Sequence, residues 1–222
     1  MKKILFSCLA LSMSFSVFSQ EVYRGRAANE LYDNAQVVRT SQHSNLPSYL
    51  KFQEGKEIDL DDLEIWLKKT YALAPQMGFK FLREHEDHLG HGYHRYQQTW
   101  NGFPVDAAEL IAHSKNGKIY AINGNIYQNF SAASSAGVEE NDALLAAMSH
   151  VGAEAYKWEN PSEEEHYKWE QNDPTMTYFP TGQLVLVSND YSFRPESFKL
   201  AWKFDIYASE PISRAWIYVD AT

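Results

Sequence analysis

The stretch AAELIAHSKNGKIYAING, residues 107–124, sets Asn116-Gly117 between two runs that can lie side by side. A two-residue Asn-Gly turn takes positive φ at both positions and closes an antiparallel hairpin. A second Asn-Gly, at 101–102, follows a run in which Tyr96, Gln98 and Trp100 alternate with Arg95, Gln97 and Thr99, the period of a strand. Upstream, DLDDLEIWLKKTYAL changes the period. Leu60, Leu63, Leu67 and Tyr71, with Trp66 alongside, share one helical face. Asp59, Asp61 and Asp62 sit where a helix start favours negative charge, and Lys68 and Lys69 sit near the other end. Pro75 and Gly78 end this helix. The order of helix then antiparallel strands is the strongest constraint on the chain, because a one-sided sheet must bury its apolar face against something.

The order occurs twice. SAASSAGVEEN is a small-residue linker, and after it residues 140–155 carry the apolar stripe Leu144, Leu145, Met148 and Val151. KWENPSEEEHYKWEQNDP then shows no clear period, and GQLVLVS, FKLAWKFDIYA and SRAWIYVDA read as three strands, with Glu210-Pro211 turning between the last two. The expected fold class is α+β, in two separately cored units that each lay an antiparallel sheet across one helix. Residues 20–57 show little periodicity and read as an extended or loosely attached arm.

The N-terminus resembles an export signal: Lys2 and Lys3, an apolar run from Ile4 to Phe18, and small residues before a cut expected between Ser19 and Gln20. That run is short for a membrane span, and Glu21 and Arg24 follow closely, so the mature protein is expected in the periplasm or outside the cell, off the membrane. Cys8 is the single cysteine and falls inside the signal, which leaves no thiol for a disulfide, a nucleophile or a metal. With 29 acidic against 20 basic residues the chain carries a net charge of −9, and losing two lysines with the signal makes it more acidic. Nucleic acid is a poor partner for such a chain. The 44% hydrophobic content, with fourteen Tyr, twelve Phe and six Trp, describes a packed protein and not a disordered one.

HEDHLGHGYH, residues 85–94, spaces His85, His88, His91 and His94 by three. A zinc site needs three or four ligands at one point. A strand sends side chains three apart to opposite faces, and Gly90 and Gly92 argue against a helix, so the row disperses. His85 and His88 lack the spacing of four that HExxH requires, and neither a GxSxG nor a phosphate-cradling loop is present. No catalytic residue, metal ligand or cofactor is expected in this chain. Asp61-Asp62 and Glu163-Glu164-Glu165 read as a helix start and a solvated face.

Read onward, the row opens into DHLGHGYHRYQQTWNGFPVDAAELIAHSKNGKIYAINGNI, residues 87–126. This resembles the fungalysin/thermolysin propeptide domain. The matching positions are Asp87, Leu89, Gly90, His94, Arg95, Tyr96, Gln97, Gln98, Gly102, Pro104, Val105, Glu109, His113, Asn116 and Gly117. LAWKFDIYASEPISRAWIYVDA, residues 200–221, is similar to the closing strands of the PepSY-type domain that follows this module in the pro-regions of secreted thermolysin-like zinc peptidases. The resemblance implies two cystatin-like units: residues 58–130, then a linker at 131–137, then residues 138–222 as an incomplete PepSY-like domain. It also implies a chain that templates the folding of its cognate peptidase domain and blocks its cleft, in cis or in trans. Zinc and calcium would belong to that peptidase domain, which the sequence does not contain. The stop at Thr222, inside a family segment, reads as a fragment of a longer precursor, the alternative being a free-standing secreted inhibitor or envelope binding module. For Arg95, Gln97 and Gln98 two roles stay open, an internal network or partner contact, because polar groups in a strand must be satisfied by one or the other. The aromatics Tyr96, Trp100, Trp202 and Trp216 are candidates for core or interface.

Overall fold

The structure is a computed structural model that describes residues 20–42 and 44–222; the segment expected to be an export signal, with Cys8 and Ser19, lies outside them. Strands β1 (Val22–Arg24), β2 (Ala35–Thr40) and β3 (Pro47–Phe52), with α1 (Arg26–Leu31) after β1, open the chain. Short β4 (Ile58–Asp59), a 3-10 turn and α2 (Leu63–Thr70) lead into a meander of β5 (Met77–Glu86), β6 (His91–Trp100), β7 (Phe103–Lys115) and β8 (Lys118–Gly124). The second half holds α3 (Glu140–Val151), short β9 (Ala155–Tyr156), α4 (Pro161–Gln171), β10 (Gln183–Ser188), β11 (Phe198–Glu210) and β12 (Ile212–Asp220). The class is α+β, mostly antiparallel, with few helices.

Residues 20–57 are no arm. β3 pairs with β8, β2 pairs with β3, and β1 pairs with β2, so this segment widens the first sheet by three strands. Ala28, Ala35, Val38, Leu46, Leu50 and Phe52 are buried in the main core. The absent periodicity has a physical cause: the β2–β3 register shifts between Ala35 and Val37 and again at Thr40, and each bulge breaks the alternation a period-two reading needs.

One cross-strand row shows how the first sheet is packed. Glu84, His94, Ala112, Ile122, Leu50 and Val38 are successive register partners across β5, β6, β7, β8, β3 and β2. From His94 to Val38 every member is buried, and Leu63 and Leu67 of α2, with Tyr71 just after it, belong to the same core. The adjacent row, Arg83, Arg95, Ile111, Asn123, Tyr49 and Arg39, points to the other face.

The halves are not separately cored. β10 joins β7 in parallel, with Leu186 opposite Val105, and one path of paired strands runs through both sheets. Leu186, Phe198, Leu200 and Ala221 belong to the first half's core, while α3 packs Ala143, Leu144 and Ala147 against Phe204, Ile206 and Ala208 in a smaller cluster. Along one edge of β7, therefore, β8 pairs with residues 110–115 and β10 takes over at Val105.

Candidate functional site

The motif residues lie on β5–β8 and concentrate where the two halves meet. At the far end of the meander Asp87 organises the β5–β6 turn. Its Oδ1 accepts from the backbone N–H of Leu89 and of His91, each at 2.9 Å. These bonds, that from His91 first, hold its carboxyl below the usual range. Gly90 has φ 73°, and a Cβ there would lie 2.3 Å from Asn116 Oδ1. Its carbonyl accepts from the Asn116 N–H at 2.9 Å, so this turn is locked to the Asn116-Gly117 turn beside it. Both Asn-Gly pairs take the positive φ their turns require: 48° and 85° at 101–102, 50° and 76° at 116–117.

The four histidines disperse. His85 is exposed on β5 against Tyr93, His88 lies in the turn, His91 faces Tyr120, and His94 is buried on the opposite face of β6. The His94 Nδ1 meets the Glu84 carboxylate at 3.2 Å, and its Nε2 meets Ser114 Oγ at 3.0 Å. The ring thus ties β5 and β7 across β6. Among the described residues no three His, Cys, Asp or Glu side chains gather as a metal ligand set. His113 bonds the Asn123 side chain on the neighbouring strand.

Gln97 and Gln98 point to opposite faces, and both are engaged inside the protein. Gln97 pairs with Glu109 and Thr99 with Pro104, so two steps along β6 face five along β7. The excess is a wide bulge, with Ala107 at φ 59°, and its carbonyls leave the ladder. The Gln97 amide donates to two of them, Val105 at 2.7 Å and Ala108 at 2.9 Å. Gln98 is wholly buried; its amide donates to the Tyr127 carbonyl at 2.6 Å, and its Oε1 accepts from the Tyr127 N–H at 3.0 Å. That pins the segment after β8, whose Tyr127 ring packs on Phe193 and Phe198 of the second half. Burial pushes the Tyr127 hydroxyl up to about 12. Arg95 pairs with Glu109 on β7 while its buried Nε has no partner.

The joint holds one residue that sequence reading passed over. Asp106, in the bulge, accepts from Lys203 Nζ at 3.0 Å and from the Tyr218 hydroxyl at 2.7 Å. Burial opposes the charge on Lys203, but its bonds to Tyr218 and Asp106 outweigh this and raise its pKa. Val105, its neighbour, makes the parallel link to β10, and Pro104, with no N–H to offer the ladder, precedes it. The signal available in the sequence was position: Asp106 lies between the matched Val105 and Glu109. Of the four aromatics, Trp100 is buried, Tyr96 and Trp202 are half-buried, and Trp216 is 58% exposed.

Residues 78–126 match the Fungalysin/Thermolysin Propeptide Motif. The match begins in β5 and ends just past β8, so it is the meander and its bulge. Over 158 residues, 68% of the chain, the sequence is 26% identical to thermolysin from Alicyclobacillus acidocaldarius and to thermolysin from Bacillus caldolyticus. Over 87 residues, 38% of the chain, it is 33% identical to bacillolysin from Bacillus amyloliquefaciens. The chain covers 25% of each of those thermolysins and 17% of the bacillolysin. It therefore carries a propeptide motif and has a quarter or less of these relatives' length to account for. Among the described residues no helix is long and apolar enough to cross a membrane.

Proposed function

We propose that this chain is the pro-region of a secreted thermolysin-like zinc metalloendopeptidase, acting on its peptidase domain as folding template and inhibitor. The observation that carries the reading is that the matched residues 78–126 coincide with the meander, where the polar motif groups His94, Gln97 and Gln98 are spent on holding strands together. Groups bonded in this way are unsuited to chemistry on a substrate, which suits a non-catalytic template. We read its halves as two cystatin-like units, the second PepSY-like, exported through the N-terminal signal. Zinc and calcium belong to the peptidase domain, and that domain, in cis or in trans, is the partner in place of nucleic acid or membrane. The face of the first sheet turned away from α2 presents Tyr49, Asn123, Ile111 and Arg95 as successive partners across β3, β8, β7 and β6, and we assign partner contact to it. A template acts by making contacts that exist in the partner's folding transition state as well as in its native state.

The test reads the gene on from codon 222. An open frame that reaches HExxH supplies the cognate peptidase domain, which is expressed without its pro-region, unfolded, and diluted with or without residues 20–222. Activity is expected to recover faster with the chain present, and the mature enzyme to be inhibited by it. If neither happens, the pro-region reading falls and the free-standing binding module takes its place.

A further inference from the structure

Among the described residues, the two-residue β4 and β9 are too short to recruit a strand, and of the remaining edges, β1, β5 and β12, two are defended. β1 is only three residues long. β5 pairs with β6 alone, has a register shift between Phe81 and Arg83, and carries Lys80, Arg83, Glu84 and Glu86. Short length, bulges and charge are the devices that keep an edge from recruiting another strand. β12 is neither short nor bulged, and its two charges are of opposite sign. It is nine residues long, pairs with β11 through nine successive positions without a bulge, and contains no Lys, Glu or Pro. Ile212 and Trp216 on it are 73% and 58% exposed.

The sequence of this edge is also self-complementary. Opposed strands in an antiparallel pair place residues of the same face together, so a two-fold pairing must be centred on one residue of β12. Centring it on Ile217 sets Arg214 against Asp220 and Trp216 against Tyr218, twice each, with Ala215 against Val219. Arg214 and Asp220 are the strand's only charged residues. Centring on Trp216 would instead face Asp220 with Ile212, and on Tyr218 it would face Asp220 with Trp216. Arg214 already holds Asp205 of its own chain through Nε and Nη2, which leaves Nη1 for a second carboxylate.

We propose that β12 is a pairing edge for a second copy of this chain: two copies join antiparallel about Ile217, and their second sheets become one. The interface is isologous, as closed dimers are. Main-chain hydrogen bonds supply its affinity, and the two Arg214–Asp220 contacts set its register.

Residues 20–222 are sedimented over a concentration series from about 1 to about 200 μM at low salt, a range that brackets micromolar self-association. A monomer–dimer equilibrium is expected, with backbone amides of 213–219 protected from exchange in a concentration-dependent way. Arg214→Asp and Asp220→Arg each place like charges at both ends of the pairing, so each raises the dimer dissociation constant at least about tenfold. Their equimolar mixture restores both opposite-charge contacts and with them the dimer. A wild-type chain monomeric throughout the series overturns the proposal, whatever the variants do. So do two variants that dimerise as the wild type does, and protection of β12 that requires the peptidase domain and not concentration.

Discussion

Gln98 and Arg95 are three positions apart on one strand and differ in what their loss should do. Gln98 is fully enclosed, and truncating it strands the N–H and carbonyl of Tyr127 away from water. A buried backbone pair left without partners costs about 3 kcal/mol in all. Gln98→Ala should therefore lower stability by about that much in urea titrations. Arg95 and Glu109 are partly exposed, and such pairs are worth about 1 kcal/mol or less. Removing Arg95 also removes its own unpaired Nε. Arg95→Ala should melt within a few degrees of the wild type. Loss of folding assistance in this variant would then assign Arg95 to the partner surface, while a large fall in melting temperature would show that its role is internal.

At the level of elements, Gly124 is the tightest approach in the meander. Its φ is 140°, and a Cβ would stand 2.1 Å from the Glu109 carbonyl oxygen and 2.9 Å from Leu110 Cα. Those neighbours are backbone and cannot step aside, so Gly124→Ala should cost more than about 3 kcal/mol and free β8 from the bulged end of β7. An unchanged urea midpoint would refute this. The elements legible in the sequence were those with one clear period or a strong turn: α2, β6 to β8 with their Asn-Gly turns, α3, and β10 to β12. β5 escaped because beyond Phe79 all its side chains are exposed, leaving no alternation to read. α4 escaped because none of its residues is buried and its polar run shows no apolar stripe. Its marks are at its ends, Asn160 capping the Ser162 N–H at 3.0 Å with Pro161 at the first turn. The motif positions were legible from resemblance, but their bonds were not. A one-dimensional pattern does not show that Gln97 faces a bulge, nor that Asp106 inside it reaches Lys203 and Tyr218 roughly a hundred residues away.

For the whole molecule, the shared core makes the halves one thermodynamic body. Tyr127 belongs to the first half and packs its ring on Phe193 and Phe198 of the second, and burial lifts its pKa from the ordinary 10.0 to about 12. The folded state therefore favours the neutral phenol. Its contribution is complete below pH 10, where the unfolded chain is also protonated, and drains away as pH climbs from about 10 to about 12. Tyr71, raised as well by burial, acts in the same direction. Alkaline titration should thus unfold both halves in a single transition, reported at the same pH by Trp100 in one and Trp202 in the other; two separated transitions would contradict a common core. The branch in the sheet also works as a phase-setter. Val105 meets Leu186 at one register pair, and side chains alternate faces with each residue. Deleting a single residue between Gln97 and Val105 would present Asp106 to β10 in place of Val105. The length of this hairpin, more than any contact within it, decides which residue of β7 stands at the branch.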